Sequence, residues 1–273
     1  MSKAPNIKAE LMKAWRLASS PLRALPDFIL PGAPKCGTSS MYDCIAMHPG
    51  VRRAMRKEPT NFIHYPGSAL RSRMNFPLAF GQFIKQKFIT GEASVEYFTH
   101  PDAPANTRDI VPDAKLVFMF RDPVARAWSD HQMFIRDGSA KEDFSVIVRR
   151  AIKWLSDPEF APLVASSLRT EAGPLRYLAN GMYALHSKRW LECFDRKNCL
   201  FILSEDFFND PKKQIQAVYR HLGLPEWELP AVPLARFGNY KDKMDSNIET
   251  ELKAFFAPHN NELEEFLGRK LPW

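Results

Sequence analysis

Apolar positions along the chain fall into short unbroken runs, separated by stretches with helical spacing. Residues 27–31 (DFILP) form one run and open directly into Gly32-Ala33-Pro34-Lys35-Cys36-Gly37-Thr38-Ser39-Ser40. Met41, Cys44, Ile45 and Met47 then keep helical spacing up to His48-Pro49-Gly50. The pattern predicts a strand, a glycine-bearing turn, and a helix with a Pro-Gly stop. Residues 115–120 (KLVFMF) are a nearly continuous apolar run of the kind buried inside a parallel sheet. RDPVARAWSDHQMF follows, with Pro123 suited to the first turn of a helix. Residues 199–203 (CLFIL) read as a third strand, and SEDFFNDPKKQIQAVYRHLGLP as one helix closed by Gly223 and Pro225. Weaker strands are expected at 50–55 and 88–90.

Residues 137–198 read as helical throughout, with apolar spacing in VIVRRAIKWL and ALHSKRWLECF. Strands alternating with helices predict an α/β fold: a central, mostly parallel sheet, helices on both faces, and a helical insertion. Residues 1–26 form a basic helical extension, expected to be solvated or packed on the domain rather than laid on a membrane. Residues 27–273 read as a single domain without internal repeats.

Charge narrows the partners. Lys and Arg number 38 against 31 Asp and Glu, a formal net charge of +7. The excess favours phosphates, sulfates, nucleic acid or acidic lipid without choosing among them. The four cysteines (Cys36, Cys44, Cys193, Cys199) lack metal-ligand spacing and are too few for a disulfide scaffold, so a reduced, cytoplasmic setting is expected. The seven histidines are scattered without a metal-binding pattern. No apolar run approaches the roughly 20 residues that cross a bilayer.

The turn at 32–40 carries the most chemistry. A strand ending in a tight turn that feeds a helix presents backbone N–H groups and the positive helix end to an anion. Gly37 permits close backbone approach, and Thr38 and Ser39 add hydroxyls. The GxxxxGK[ST] pattern is met only in part: Gly32 and Gly37 have the right separation, but Thr38 takes the lysine position and Lys35 lies inside the loop. After the second strong strand comes Phe120-Arg121-Asp122, a cation where a nucleoside-triphosphate kinase would want a metal-binding acid. On the residues alone three readings stay open: a P-loop kinase or NTPase, a noncatalytic module binding an anionic polymer, and a helix cap without a ligand. No aromatic-interleaved basic stripe supports nucleic acid as the partner.

Three ordered segments resemble the sulfotransferases that use 3′-phosphoadenosine 5′-phosphosulfate (PAPS). Pro34-Lys35-Cys36-Gly37-Thr38-Ser39 is similar to that family's PKxGTT-like loop. Arg121-Asp122-Pro123-Val124-Ala125-Arg126-Ala127-Trp128-Ser129 is similar to its RxPxxRxxS motif. Lys57-Glu58-Pro59-Thr60-Asn61-Phe62 is close to the KEPxxF motif of its heparan-sulfate-type and bacterial branch, and Phe255 to Arg269 is similar to that branch's ending. The resemblance runs over residues 27–273 and implies a P-loop-like nucleotide-binding fold. It also implies transfer of a sulfuryl group from PAPS to a hydroxyl, or an amine, of a small-molecule or sugar acceptor, with PAP as product and no metal. Stable membrane insertion and a nucleic-acid partner are not expected.

By the same resemblance Lys35, Cys36, Gly37, Thr38, Ser39 and Ser40 hold the 5′-phosphosulfate. Arg121 and Ser129, eight residues apart, hold the 3′-phosphate. Tyr183 approaches the donor, and Gly238 and Asn239 lie in a basic lid. Lys35 stabilises the leaving phosphate and Glu58 is the general base, with Glu92 in reserve. Trp190 is expected in the core. His131, Arg136 and the 66–80 loop are read as an irregular basic surface, with a lining of the acceptor cleft as the alternative. The sequence departs from the branch at Thr60 and Asn61, where relatives carry aromatic or His residues. It departs again at Ala93, where glycan-acting relatives carry Lys in a GEKSP-like segment.

Overall fold

Strand β1 (Phe28–Gly32) is buried along its whole length and forms the middle of the sheet. The computed structural model describes residues 7–79, 88–140, 142–157, 175–230 and 243–273. Within it α1 (Ile7–Ala18) precedes β1, and α2 (Thr38–Met47) follows it after the 33–37 turn. The chain continues through β2 (Val51–Arg53), α3 (Asn61–His64), α4 (Ala69–Arg73), β3 (Ile89–Ala93), α5 (Ala103–Ile110), β4 (Lys115–Phe120) and α6 (Pro123–Arg136). Then come α7 (Phe144–Leu155), α8 (Arg176–Ala179), α9 (Tyr183–Cys193), β5 (Cys199–Leu203), α10 (Ser204–Asn209), α11 (Pro211–His221) and α12 (Ser246–Leu267).

The five strands run in the order β2-β3-β1-β4-β5, and every pairing is parallel. After β1 the chain first fills one side of the sheet and then, with β4 and β5, the other. The C-terminal end of β1 is therefore a topological switch point, where open α/β sheets place their ligands. Two local features shape β1. Pro31 has no N–H to give a ladder, and the pairing with β4 shifts register between Ile29 and Gly32. On the other side Gly91 of β3 pairs with Phe28, and a Cβ there would lie 2.4 Å from the Phe28 oxygen, so only glycine lets the strands meet.

The core follows the apolar runs. Phe118 of β4 stacks on Phe201 of β5 at 4.8 Å and meets Trp190 of α9 edge-on at 5.8 Å, and Trp190 is a core residue as expected. Tyr219 of α11 reaches across to donate to the Cys44 carbonyl of α2. A second apolar cluster joins α6, α7, α8 and α12. His131 belongs with it, buried among Trp128, Phe144 and Tyr177 and not on a basic surface.

Two helical expectations change. The stretch after β5 is two helices, not one. Asp210 leaves helical geometry and its Oδ1 accepts the Lys213 N–H, capping α11, while Pro211 takes the first helical position; a proline disfavours helix at the residue before it. Residues 137–198 are also not one helical stretch, since α7, α8 and α9 are separate, and residues 158–174 lie outside those described. Among the described residues no helix is long and apolar enough to cross a membrane.

Candidate active site

The turn after β1 is built for close approach to an anion. Lys35 and Gly37 both take left-handed backbone, φ 66° and 81°. Gly37 is the N-cap of α2 and no side chain caps the helix. The first N–H groups of a helix have no partner within it, so this end faces the turn with donors and the positive end of the helix dipole. Ser39 is half-buried here, whereas the Thr38 and Ser40 side chains are buried.

Beneath the turn lies a hydrogen-bonded floor. Ser204, at the start of α10, donates to the Cys36 carbonyl at 2.7 Å. Tyr183 donates to the Arg121 carbonyl at 2.9 Å, lies 3.6 Å from Cys36 Sγ, and stacks on Phe120. Cys36 and Tyr183 are both buried, and burial pushes the Cys36 thiol up to about 12. Both side chains lie under the loop and hold it up: Tyr183, expected near a donor, spends its hydroxyl on the Arg121 carbonyl, and the Cys36 thiol points into the core. Their burial has a physical cause: Tyr183 starts α9 and lays its ring on Phe120 at the end of β4, with the Cys36 thiol against its hydroxyl.

Charge gathers at the same edge. Lys35 is half-buried with its Nζ 3.5 Å from Met133 Sδ. Burial lowers its pKa, Asp130 opposes that, and Arg136, Arg121 and Arg126 add to it. Arg121, at the C-terminal end of β4, makes a long hydrogen bond of 3.5 Å from Nη1 to the Lys35 carbonyl. Neither Lys35 nor Arg121 forms an ion pair among the described residues. Asp122 feels the charge of Arg121 but makes no ion pair with it among the described residues: it caps α6, Oδ1 accepting the Val124 N–H at 3.0 Å, while its own N–H goes to Glu205.

Ser129 is buried on α6. Three residues before it, Arg126 is fully buried and pairs with Asp130 at 3.2 Å, donating also to the Tyr177 carbonyl. This tether of α6 to α8 was not foreseen; the signal was an Arg and an Asp four residues apart on one helix face. Ser204 and Glu205 were likewise missed, because nothing in the local sequence ties them to residues 36 and 122.

Glu58 stands in the segment between β2 and α3. It and Thr60 both adopt left-handed backbone, φ 47° and 51°, which non-glycine residues hold only when their surroundings over-determine it. The Glu58 side chain is 43% exposed and its ion-pair partner is Lys57, 3.6 Å away. Pro59, Thr60, Asn61 and Phe62 behind it are buried. Asn61 donates to the Ser72 carbonyl and accepts from Asn75. Beside this segment, between it and α1, opens a cavity of about 370 Å³ lined by Lys13, Arg16, Arg56 and His64 together with Pro59 and Asn61. The reserve carboxylate, Glu92, is buried with both oxygens taken, by Ser94 and Tyr97. Gly238 and Asn239, expected in a lid, lie outside the described residues.

The sulfotransferase domain profile matches residues 25–270. The chain belongs to the sulfotransferase family. Carbohydrate sulfotransferase 15 of Mus musculus is 27% identical over 303 residues, covering 90% of this chain and 54% of that protein. Heparan sulfate glucosamine 3-O-sulfotransferase 3B1 of Mus musculus is 26% identical, covering 92% of this chain and 65% of that one. The chain thus spans about half the length of the carbohydrate sulfotransferases it matches. Among solved structures, a sulfotransferase from Alicyclobacillus acidocaldarius is 28% identical with a TM-score of 0.68, covering 91% of this chain and 98% of its own. The sulfotransferase fold accounts for the all-parallel sheet and for the turn placed at its switch point.

Proposed function

We propose that this chain transfers a sulfuryl group from PAPS to a hydroxyl of an acidic sugar or similar small acceptor, releasing PAP. The observation that carries the reading is the meeting of Lys35 and Arg121, two cations without carboxylate partners among the described residues, at the uncapped start of α2. That arrangement suits a doubly phosphorylated nucleotide, so the residues present fit the donor. The main-chain amides of 36–40 and Lys35 would hold the 5′-phosphosulfate. Arg121 and Ser129 would hold the 3′-phosphate, a guanidinium supplying forked donors and a hydroxyl one more. Gly238 and Asn239 complete the assignment from the segment outside the described residues. The donor supplies an activated sulfonate on a phosphate leaving group.

The chain's own residues then have distinct tasks. In an in-line displacement the acceptor oxygen forms a bond to sulfur as the bond from sulfur to the phosphate oxygen breaks. Charge grows on that phosphate oxygen, and Lys35 places a cation there in advance, which is worth most in a half-buried site. Glu58 takes the acceptor's hydroxyl proton. Its exposed carboxylate suits that role, and the neighbouring cavity, which its sequence neighbour Pro59 helps to line, carries Lys13, Arg16, Arg56 and His64, which favour an acceptor with an anionic group. A magnesium-dependent kinase is disfavoured because Asp122, the acid after β4, is committed to capping α6.

The test is to incubate the chain with PAPS labelled in its sulfonate and a panel of uronic-acid, neutral-sugar and alcohol acceptors. Label should move to a uronic-acid-containing acceptor without added metal. Transfer to none of them, together with phosphoryl transfer from ATP, would overturn the reading.

A further inference from the structure

One buried titratable side chain takes no part in the chemistry above. Glu92 stands near the C-terminal end of β3, level with Ile29 of β1, and is 1% exposed. Placing a carboxyl group there is costly unless its oxygens are satisfied, and both are. Ser94 Oγ donates to Oε2 at 2.5 Å and the Tyr97 hydroxyl donates to Oε1 at 3.0 Å.

The two hydroxyls do not stop at the carboxylate. Ser94 Oγ accepts the Thr60 N–H at 3.2 Å, and the Tyr97 oxygen accepts the Phe62 N–H at 3.3 Å. Two parallel relays, each of amide, hydroxyl and carboxylate, therefore run from alternate residues of one segment to a single side chain. That segment carries Glu58, and it includes both left-handed residues, Glu58 and Thr60. A hydroxyl that gives its proton to a carboxylate becomes a better acceptor, since hydrogen bonds in a chain polarise one another. Because Glu92 has no exposed oxygen, it cannot itself reach an acceptor.

We infer that Glu92 is a positioning residue: through Ser94 and Tyr97 its carboxylate fixes the Thr60 and Phe62 amides and so orients Glu58. The inference rests on reading Glu58 as the general base. Its protonation state supports the geometry. Burial raises the Glu92 carboxyl to about 7, against the pull of its two hydroxyl partners. The titratable groups that face it are Tyr42 of α2 and Tyr97 of the turn after β3, both neutral near pH 7, while β1 presents Ile29 at its level. When Glu92 is protonated, its own O–H must point at one of the two hydroxyls, whose proton then has no acceptor. The relay is complete only with the carboxylate ionised.

Residue-resolved hydrogen exchange at one pH, with turnover and PAP affinity measured alongside, tests this. Glu92→Gln offers one acceptor oxygen in place of two; exchange at Thr60 or Phe62 should quicken at least tenfold, and kcat should fall at least tenfold with PAP affinity within twofold. Ser94→Ala should quicken Thr60 alone and Tyr97→Phe should quicken Phe62 alone, which keeps the test open should Glu92→Gln not fold. In the wild type, kcat should decline as pH falls below about 7, a limb that Glu92→Gln should lack. Unchanged exchange at both amides in folded variants, or quickened exchange with unchanged kcat, would overturn the inference. Should Glu58→Gln keep its turnover, the base assignment fails while the exchange results still report on the relay.

Discussion

Arg121 Nη1 lies 3.5 Å from the main-chain oxygen of Lys35, so the guanidinium at the end of β4 touches the turn after β1. Neighbouring parallel strands put their C-terminal ends side by side, and the contact is a direct result of that order. It also gathers positive charge: Arg121, Arg126 and Arg136 all act to discharge Lys35. An arrangement that disfavours its own protonated lysine is stabilised by an incoming anion.

Arg121→Ala should weaken PAP by roughly 10- to 100-fold, the ~1.5–3 kcal/mol of a charge-assisted hydrogen bond. Adenosine 5′-phosphate, which lacks the 3′-phosphate, should lose less than threefold. Calorimetric titration of both nucleotides checks this; equal losses would mean that Arg121 supports the turn and does not read the 3′-phosphate.

Glu58→Gln should lower kcat by about 10²–10⁴, the usual worth of a positioned general base. PAP affinity should stay within twofold and the unfolding midpoint should not fall, because Glu58 is exposed and, among the described residues, pairs only with Lys57. A large fall in stability would show that the carboxylate serves the fold.

Asp130→Ala should destabilise the chain by about 3–5 kcal/mol, since it leaves Arg126 buried without its partner. Denaturant unfolding measures this. A change under 1 kcal/mol would mean that Tyr177 and water suffice for the guanidinium. The same variant removes the charge that favours protonated Lys35, so its lysine should titrate lower still.

The pH dependence of stability follows from Glu92. Its carboxyl is raised from the ordinary 4.5 to about 7 by burial. Between those values the folded chain holds a proton that the unfolded chain has released, so stability is greatest below the window and falls as pH rises through it. The loss is about 1.4 kcal/mol per pH unit at most. Glu92→Gln should flatten that decline between pH 4.5 and 7. An unchanged slope would place the proton elsewhere. Stability and the relay thus pull in opposite directions at this residue, since folding prefers the neutral carboxyl and the Glu58 segment needs the ionised one.

The frame of the molecule was legible where burial leaves a continuous mark. Residues 115–120 and 199–203 are strands with the expected bounds because a strand covered on both faces of a parallel sheet is nearly all apolar, Lys115 at the start of β4 being the exception. The turn at 33–37 was legible for a related reason: a glycine with positive φ at a helix start is a local requirement. What escaped was set by contacts between residues far apart in the chain. Ser204 reaches Cys36, Tyr183 reaches Arg121, and Ser94 reaches Thr60. No local pattern carries such pairings. Glu92 illustrates the difference most clearly. As a sequence position it was a spare carboxylate near the right strand, and its burial and its two hydroxyl partners appear only in the fold. The break at Asp210 escaped for a different reason, since helical spacing continues through it and the Asp-Pro pair alone marks the stop.

The most direct test of the account is a calorimetric titration of the purified chain with PAP, with adenosine 5′-phosphate, and with ATP plus magnesium. The account predicts that PAP binds without metal, at least tenfold more tightly than adenosine 5′-phosphate, and that Lys35→Ala and Arg121→Ala each weaken it. Preference for magnesium-ATP, or PAP binding indifferent to both substitutions, would contradict it.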